Sequence, residues 1–332
     1  MSDDRDIAQT ISVGVDLGGT NIRAAVFDGG MEILGRSEMP TRAQEAADDV
    51  IRRIASCVRE ALDRSSVAAG EIAGVGIGAA GLTDWKTGVV VLASNLGWRN
   101  VPLRERLEQE LDGLHVEVDK DTNAAALAEA RLGAGREFRH FLYVTAGTGI
   151  GGGLILDGTL YRGATGGAGD IGHVVVDPDG PLCGCGGHGC VEVFSSGVGM
   201  VNRAREMLAD KAQAASSTMT VEGLTTETIF ESVKVGDAVA AQVVETAGRA
   251  LGLALADYVN LNNPEAIVLG GGVVRAGRAY TDPVERELRR RALPALGEVV
   301  RLVPPGLGHD VGMTGAALLL AEAEANKNGV ST

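Results

Sequence analysis

The chain of 332 residues lacks the features of an exported or membrane-spanning protein. Its first residues, Met1 to Asp6, include three aspartates and have no apolar core, so they do not resemble a signal peptide. No segment approaches the ~20 consecutive apolar residues of a membrane span. We therefore expect a cytoplasmic protein with no membrane partner.

The chain also lacks an excess of positive charge. Its 30 Lys and Arg residues against 44 Asp and Glu residues give a net charge of −14 at pH 7. This balance argues against nucleic acid or an anionic membrane surface as a partner. An anionic substrate would have to be held by backbone N–H groups and a metal ion.

A third absence is the phosphate-binding pattern G-x4-G-K-[ST]. The chain does contain Gly147-x-Gly149-x-x-Gly152, which satisfies the dinucleotide pattern G-x-G-x-x-G. That fingerprint requires a helix directly after it, whereas Gly153 to Leu156 is predicted to be a strand. An NAD-dependent oxidoreductase is therefore disfavoured. The 48 glycines cluster beside apolar runs, which favours close approach of the backbone to a ligand.

Cysteine is scarce, but three of the four cysteines, Cys183, Cys185 and Cys190, lie within eight residues. With His173 upstream they offer three thiolates and one imidazole, the ligand set of a closed tetrahedral structural zinc site. A disulfide would leave one of the three unpaired, and nothing indicates an oxidising compartment. His188 is a competing imidazole. We prefer His173, because His188 would have to ligate from a very short arc.

An internal repeat organises the apolar strands. A predicted strand from Ile11 to Leu17 is followed by a glycine turn and a hairpin, and the same pattern recurs after a strand from Phe141 to Ala146. Gly18 aligns with Gly147 at an offset of 129 residues. Such a duplication predicts two similar domains. The two glycine turns can cradle phosphates through backbone N–H groups, with ordinary hairpin turns as the alternative.

Asp121 lies between a strand predicted at Val116 to Val118 and a helix predicted at Ala124 to Leu132. Phosphoryl transfer to a hydroxyl needs positioning, charge neutralisation and a carboxylate that accepts the proton. Asp121 is a candidate for that carboxylate. A helix cap would explain an aspartate here equally well, and the spacing does not decide between the two.

The segment from His173 to Glu192 resembles the zinc-knuckle signature of the ROK family of sugar kinases and sugar-responsive repressors. Other matches span almost the whole chain, and within the family they are most similar to bacterial glucokinases. The resemblance implies an α/β, actin-like (ribonuclease H-like) two-domain sugar kinase fold with a duplicated core. Residues 1–121, joined by a C-terminal helix at about 311–332, would form the smaller domain. Residues 122–310 would form the larger domain, with the zinc knuckle at 173–190.

The resemblance also implies roles for individual residues. Asp121, in the segment D-x-N-A-A-A-L, would be the catalytic base, and Asp16 would hold Mg²⁺ through water. Sugar binding is assigned to Asn95, Asp121, Asp170, His173 and Glu192. Nucleotide binding is assigned to two phosphate motifs and a motif beside adenosine, comprising Asp16, Gly18, Gly19, Thr20, Asn21, Thr145, Gly147, Thr148, Gly149, Gly270, Gly271 and Gly272. The zinc ion, on His173 and the three cysteines, would fix the loop that carries His173 and Glu192.

Two residues depart from the family pattern. Lys120 replaces the asparagine that usually precedes the catalytic aspartate. Asp170 replaces a glutamate in the segment before the ligand histidine. Since both positions are expected to border the sugar, these changes predict a looser sugar site with weaker discrimination among hexoses.

The sequence thus predicts ATP-dependent phosphorylation of a hexose at the 6-hydroxyl, most simply of glucose to glucose 6-phosphate. The partners would be a sugar and a nucleotide, and the family resemblance suggests a homodimer or homotetramer. Polyphosphate remains open as the donor, as do N-acetylglucosamine, N-acetylmannosamine, mannose and fructose as acceptors. A non-catalytic sugar-sensing regulator is disfavoured, because about ten residues before the first strand are too few for a helix-turn-helix.

Overall fold

In a computed structural model that describes residues 11–327, the short apolar runs form two five-stranded sheets. The acidic start, Met1 to Asp6, lies outside the described residues. The first sheet consists of β1 (Ile11–Leu17), β2 (Asn21–Phe27), β3 (Ile33–Pro40), β4 (Ile72–Ala79) and β8 (Val116–Lys120). The second sheet consists of β9 (Phe141–Ala146), β10 (Ile150–Leu156), β11 (Thr159–Tyr161), β12 (Ala266–Gly270) and β13 (Arg301–Val303). A three-stranded sheet that the sequence did not predict consists of β5 (Leu82–Asp84), β6 (Val89–Ala93) and β7 (Trp98–Pro102).

The two large sheets share one topology. Their strand orders are β3-β2-β1-β4-β8 and β11-β10-β9-β12-β13, which are the same when each strand is matched to its equivalent. In both sheets the second and third strands pair antiparallel, and the first strand pairs parallel with the fourth, which pairs parallel with the fifth. The α/β class with a duplicated core, which the 129-residue offset predicted, is confirmed.

The described residues form eleven helices. They are α1 (Ala47–Ser65), α2 (Leu103–Glu110), α3 (Asp121–Arg131), α4 (Val191–Ser195), α5 (Gly197–Leu208), α6 (Lys211–Ser216), α7 (Thr226–Lys234), α8 (Ala238–Asn262), α9 (Arg278–Arg291), α10 (Pro294–Gly297) and α11 (Val311–Lys327). Of these, α1, α2, α3, α5, α8 and α11 correspond to predicted helices, most of them with shifted ends. Helix α1 buries the positions at i, i+3, i+4 and i+7, among them Ile51, Ile54, Ala55 and Val58, as its periodicity predicts.

The chain divides into two compact units that interleave along the sequence. Unit 1 comprises the described residues up to Arg139, then Gly153–Ala168, then those from Pro305 onward. Unit 2 comprises His140–Gly152 and Gly169–Pro304. Helix α3 belongs to unit 1 in this division. At the contact of α3 with α11, a Cβ on Gly315 would lie 1.8 Å from the carbonyl oxygen of Ala124.

Helix α11 covers one face of the first sheet, and glycines on the strands allow that approach. A Cβ on Gly14 of β1 would lie 1.9 Å from the carbonyl oxygen of Met313. A Cβ on Gly76 of β4 would lie 1.7 Å from the carbonyl oxygen of Ala316. Since no side chain fits at these distances, the helix backbone rests directly on the strands.

The carboxylate of Glu129, on the third turn of α3, is fully buried and accepts several backbone hydrogen bonds. Its donors are the N–H groups of Ala134 at 2.7 Å, Gly306 at 2.9 Å and Leu307 at 3.1 Å. These donors lie in the segments just before the chain leaves unit 1 at Arg139 and just after it returns at Pro305. One carboxylate therefore ties both segments to α3.

Helix α8 is long and apolar enough, by length and composition, to cross a membrane. However, 61% of its most apolar window is buried inside the protein. It packs against α9 at two glycines, where a Cβ on Gly248 would lie 2.5 Å from Pro283 Cβ and one on Gly252 would lie 2.4 Å from Val284 O. This burial is typical of a core helix.

Helix α8 begins at an aspartate that makes an extensive cap. The Asp237 side chain accepts hydrogen bonds from the backbone N–H of Ala240 at 2.9 Å and the hydroxyl of Ser217 at 2.7 Å. It also accepts from the hydroxyl of Thr218 at 2.9 Å and from the backbone N–H of the same residue. Burial alone would raise the pKa of Asp237, but these hydrogen bonds outweigh burial and lower its pKa to about 2.

We expect Asp237→Asn to lower the free energy of unfolding at pH 7 by about 2 kcal/mol, since asparagine can still cap a helix but carries no charge. The native pKa lies below the value of an unfolded aspartate, so the stabilisation is present above about pH 4 and is lost as the pH falls towards 2. Urea denaturation of the two proteins should therefore give curves that converge as the medium becomes acidic. Asp210→Asn, at the exposed cap of the short α6, is the matched control and should change stability much less. An equal loss at both positions would contradict the role given to Asp237.

Candidate functional site

The first glycine turn joins β1 to β2 in unit 1. The backbone N–H of Gly18 donates to Asn21 O at 3.0 Å and closes the turn. Thr41 fixes the turn with two hydrogen bonds: its hydroxyl donates to Gly18 O at 2.7 Å, and its N–H donates to Thr20 O at 2.7 Å. Thr20 and Asn21 are exposed, and the Asn21 amide donates to Glu38 at 2.8 Å. The result is a fixed turn with an exposed tip, a form that can present backbone N–H groups to an anion.

Asp16, on β1 just before this turn, is paired with a residue that the sequence analysis missed. Its carboxylate accepts a hydrogen bond from the guanidinium of Arg23, the residue directly opposite on β2. Burial raises the pKa of Asp16, and the Arg23 charge opposes that rise. A Cβ on Gly312 would lie 2.7 Å from Asp16 Oδ2, so the first turn of α11 lies against the carboxylate. The antiparallel register of a β1–β2 hairpin is the signal that could have identified Arg23.

Asn95, assigned to the sugar, lies in the exposed turn between β6 and β7. A Cβ on Gly19 would be 3.2 Å from Asn95 Nδ2. Within unit 1, Asn95, predicted to bind the sugar, therefore lies against Gly19, predicted to bind a phosphate.

Asp121 is the first residue of α3 and follows directly after β8. The helix thus begins three residues earlier than predicted, and its N-cap is Lys120, whose side chain makes no capping bond. The half-buried carboxylate of Asp121 accepts from the N–H of Thr122 at 2.7 Å. A carboxylate in the first turn of a helix is stabilised by the helix dipole, and this one has the chemistry of a general base.

The second glycine turn belongs to unit 2. Thr145 lies near the end of β9, and Gly147 to Gly149, including Thr148, form the turn into β10. The N–H of Gly147 donates to Gly149 O at 2.9 Å, and the N–H of Gly197 donates to Gly147 O at 2.8 Å. Because β10 follows this turn directly, the helix that a dinucleotide fingerprint requires is absent here.

Gly270 to Gly272 continue from the end of β12 and pack beside the second turn. Gly271 has a φ of +103°, which favours glycine, and a Cβ there would lie 2.2 Å from Ala146 O. Val273 N–H donates to the same carbonyl oxygen at 2.9 Å. Unit 2 therefore places the motif predicted beside adenosine next to the predicted phosphate turn.

Glu192 connects the second glycine turn to the cysteine cluster. It lies on α4 and is half-buried, although from the sequence alone a solvated loop residue was the more natural interpretation. Its Oε2 accepts from the N–H of Ile150 at 3.0 Å, and its Oε1 lies 4.0 Å from Cys183 Sγ. The Glu192 carboxylate thus contacts both the second glycine turn and the cysteine cluster of unit 2.

The four predicted zinc ligands converge. His173 Nδ1 and the three sulfur atoms of Cys183, Cys185 and Cys190 all lie within 4.8 Å of one another. The Cys185 and Cys190 sulfurs are 3.7 Å apart, and His173 Nδ1 is 3.7 Å from Cys183 Sγ. All three cysteines are free thiols. With Zn–S bonds of about 2.3 Å, the edge of a tetrahedral zinc site measures about 3.8 Å, so the donor set fits the ion. His188 lies outside the cluster, with Nδ1 3.1 Å from Gly180 O.

Glycines and burial shape this cluster. Gly189 has a φ of +64°, and a Cβ there would lie 1.5 Å from Asp177 O, so only glycine permits this path. Burial raises the pKa of Cys183 and raises that of Cys190 to about 12, whereas the N–H of Gly187 lowers the pKa of Cys185. Zinc binds thiolates, so its binding must release protons from this cluster, and its affinity falls in acid.

Asp170 precedes the short 3₁₀ turn Ile171–His173 and is half-buried. It lies three residues before the zinc-ligand candidate His173, so the two are fixed in one short segment. Unit 1 thus carries Asp16, the first turn, Asn95 and Asp121, while unit 2 carries the second turn, Asp170, Glu192 and the cysteine cluster.

Comparison with known proteins gives matches over nearly the whole chain. The sequence model of the ROK family matches residues 12–323. A glucokinase of Halalkalibacterium halodurans is 36% identical over 315 residues, which cover 94% of this chain and 95% of that protein. An N-acetylmannosamine kinase of Citrobacter koseri is 33% identical over 309 residues, 93% of this chain and 98% of that one. The crystal structure of a ROK family glucokinase from Streptomyces griseus, in complex with glucose and AMPPNP, shares 36% identity and a TM-score of 0.80, covering 94% of this chain and 99% of its own.

We expect the purified protein to contain about one zinc ion per chain, since four donors form one closed site. Cys185→Ala should abolish zinc retention after dialysis and lower the unfolding temperature. Cys57→Ala, which removes a buried thiol from α1 in unit 1, should leave the zinc content unchanged. Elemental analysis makes the measurement, and incubation at pH 5 should reduce retention relative to pH 7.5. Zinc-free protein that is prepared without chelator and is fully active would contradict this prediction.

Proposed function

The chain belongs to the ROK family, and from this we propose that it is a kinase that transfers the γ-phosphoryl group of ATP to the 6-hydroxyl of glucose, giving glucose 6-phosphate. The observation that carries the proposal is the 36% identity, over 94% of this chain, to a glucokinase whose structure holds glucose and AMPPNP. The fold that accompanies this similarity is the actin-like sugar kinase fold. The glucokinase of Halalkalibacterium halodurans supports the same activity at equal identity.

The two glycine turns and Gly270 to Gly272 would hold the nucleotide. Such turns bind phosphates with backbone N–H groups, which suits a chain of net charge −14 that has little basic surface to offer. A Mg²⁺ ion would neutralise charge on the phosphates, and Asp16 is the residue that would bind it, through water. The Arg23 guanidinium, which pairs with Asp16, would fix that carboxylate in position.

Asp121 would accept the proton of the sugar hydroxyl as the phosphoryl group arrives. Its place at the start of α3, against the glycine-rich end of β4, holds the carboxylate on rigid elements. Asn95, Asp170, His173 and Glu192 would bind the other hydroxyls of the sugar. The zinc ion would be structural, with the three cysteines fixing the segment that carries His173 and Glu192.

A second candidate substrate is an N-acylated hexosamine, favoured by the 33% identity to an N-acetylmannosamine kinase. A regulator without catalysis is less consistent with the chain, because the chain has an aspartate at the start of α3 and both glycine turns.

We further infer a cytoplasmic location, since free thiols in a metal cluster suit a reducing compartment. A homodimer or homotetramer remains our expectation for the assembly.

One assay panel tests the proposed substrate. Glucose, mannose, fructose, N-acetylglucosamine and N-acetylmannosamine would each be incubated with ATP or with polyphosphate, and the sugar phosphate detected by mass spectrometry. We expect glucose with ATP to give the highest kcat/KM. A preference for an N-acyl hexosamine would replace the substrate, and no product from any pair would refute kinase activity.

Asp121→Asn preserves shape but cannot take up a proton, so we expect kcat to fall by ~10²–10⁴-fold. Glucose binding, measured by calorimetry, should change little. Asp112→Asn is the matched control, because Asp112 is an exposed turn residue of unit 1, and it should keep full activity. Turnover near the native rate in Asp121→Asn would remove Asp121 from the mechanism.

A further inference from the structure

The loop of residues 162–168 links β11 to the segment that carries Asp170 and His173. The loop is closed on itself, because the N–H of Ala168 donates to Arg162 O at 3.2 Å. Only Gly169 separates Ala168 from Asp170 in the chain. The position of Ala168 therefore limits the positions that Asp170 can take.

Two neighbouring residues at the end of β8 hold the two ends of this loop. Asp119 Oδ2 accepts from Arg162 Nε at 2.6 Å, and the two side chains are 2% and 9% exposed. Lys120 Nζ donates to Ala168 O at 3.3 Å, and Lys120 is 3% exposed. All four residues belong to unit 1, so both attachments lie within one compact unit.

The Arg162 end is fixed from several sides. The Arg162 guanidinium stacks on the Trp85 ring at 4.6 Å, and its Nη1 lies 3.9 Å from Glu322 Oε1. The other oxygen of the Asp119 carboxylate accepts from Asn123 Nδ2 at 2.8 Å, which fixes that carboxylate in turn. We therefore expect the Arg162 end of the loop to keep its position when Lys120 is replaced.

The Ala168 end is anchored differently. The middle of the loop rests on β5, where a Cβ on Gly166 would lie 2.2 Å from Thr83 O. Beyond that point the Lys120 ammonium donates a hydrogen bond to the loop, and a hydrogen bond from a charged donor is stronger than one from a neutral group. Burying an ammonium is costly unless it is paired, so the bond to Ala168 O also offsets the cost of placing a lysine here.

The side-chain length at position 120 matters for this contact. An asparagine amide nitrogen lies two bonds closer to the backbone than the lysine ammonium, which shortens its reach by about 2.5 Å. Asparagine, the residue usual in the family's kinases, could not span the distance to Ala168 O. The attachment is thus a property of chains with lysine at this position.

We propose that Lys120 is a positioning residue that sets the sugar-binding segment: through Ala168 O it fixes the end of the 162–168 loop from which Asp170 and His173 extend. On sequence grounds the replacement of asparagine by lysine predicted a looser sugar site, but the geometry points to a tethered one. The effect that we expect on the KM for the sugar rests on the proposed function, whereas the hydrogen bond from Lys120 to Ala168 O, called the tether below, does not.

Hydrogen exchange tests the tether without any assay of activity. On the zinc-loaded, full-length protein without sugar, Lys120→Met should raise the exchange rate of the Ala168 amide ~10-fold, because the Ala168 end of the loop opens. Lys120→Arg should keep most of the protection, and Lys120→Asn should lose it. Lys211→Met, an exposed lysine on α6 in unit 2, is the control and should leave the exchange rate unchanged. Native exchange at Ala168 in a correctly folded Lys120→Met or Lys120→Asn protein would overturn the proposal.

Steady-state kinetics tests whether this hydrogen bond increases the affinity for the sugar. Lys120→Met should raise KM for the sugar ~10-fold and lower kcat by less than ~3-fold, since the loop orders the substrate segment and does not take part in proton transfer. Lys120→Arg should restore most of the affinity. A fall in kcat with unchanged KM would refute a positioning role. If the native enzyme phosphorylates none of the sugars, the proposed function fails, and the exchange experiment still decides the tether.

Discussion

The placement of helix α3 depends on direct contact between backbones, made possible by three glycines. A Cβ on Gly78 would lie 3.2 Å from Asp121 Cα, one on Gly153 would lie 2.3 Å from Thr122 O, and one on Gly315 would lie 1.8 Å from Ala124 O. The helix is therefore held against β4, β10 and α11 without intervening side chains. Asp121 stands at the first residue of this helix, so any shift of α3 would displace its carboxylate. A close-packed interior of this kind deforms little, which suits the role of general base that we propose for Asp121.

In unit 2 a single glutamate fixes the relative position of two parts of the chain. Glu192 accepts a hydrogen bond at the second glycine turn and lies beside a cysteine of the predicted zinc cluster. A loop folded around one ion has little apolar core of its own, so its geometry depends on the metal and on contacts of this type. The metal would thus influence the geometry of the second glycine turn, for which we propose nucleotide binding, as well as that of the segment that carries His173.

Much of the fold could be predicted because its signals are local. Apolar runs marked most of the strands, the 129-residue offset predicted two sheets of one topology, and the cysteine spacing predicted a cluster that includes His173 rather than His188. Helix α9 was missed because its sequence is dominated by arginine and glutamate with few apolar positions. The start of α3 was misplaced because Asp121, Thr122 and Asn123 are all common helix caps. Pairs such as Arg162 with Asp119 join residues 43 positions apart, and no local pattern predicts them.

The position of α11 in the chain has a consequence for biosynthesis. The face of β1 and β4 that this helix covers is made early, whereas the helix itself lies at residues 311–327. At 5–20 residues per second, a ribosome needs on the order of 10–50 s to add the stretch between β4 and α11. During that interval the nascent first sheet presents an apolar face with no partner from its own chain. The described part of unit 1 therefore completes its core only after the residues of unit 2 have been translated.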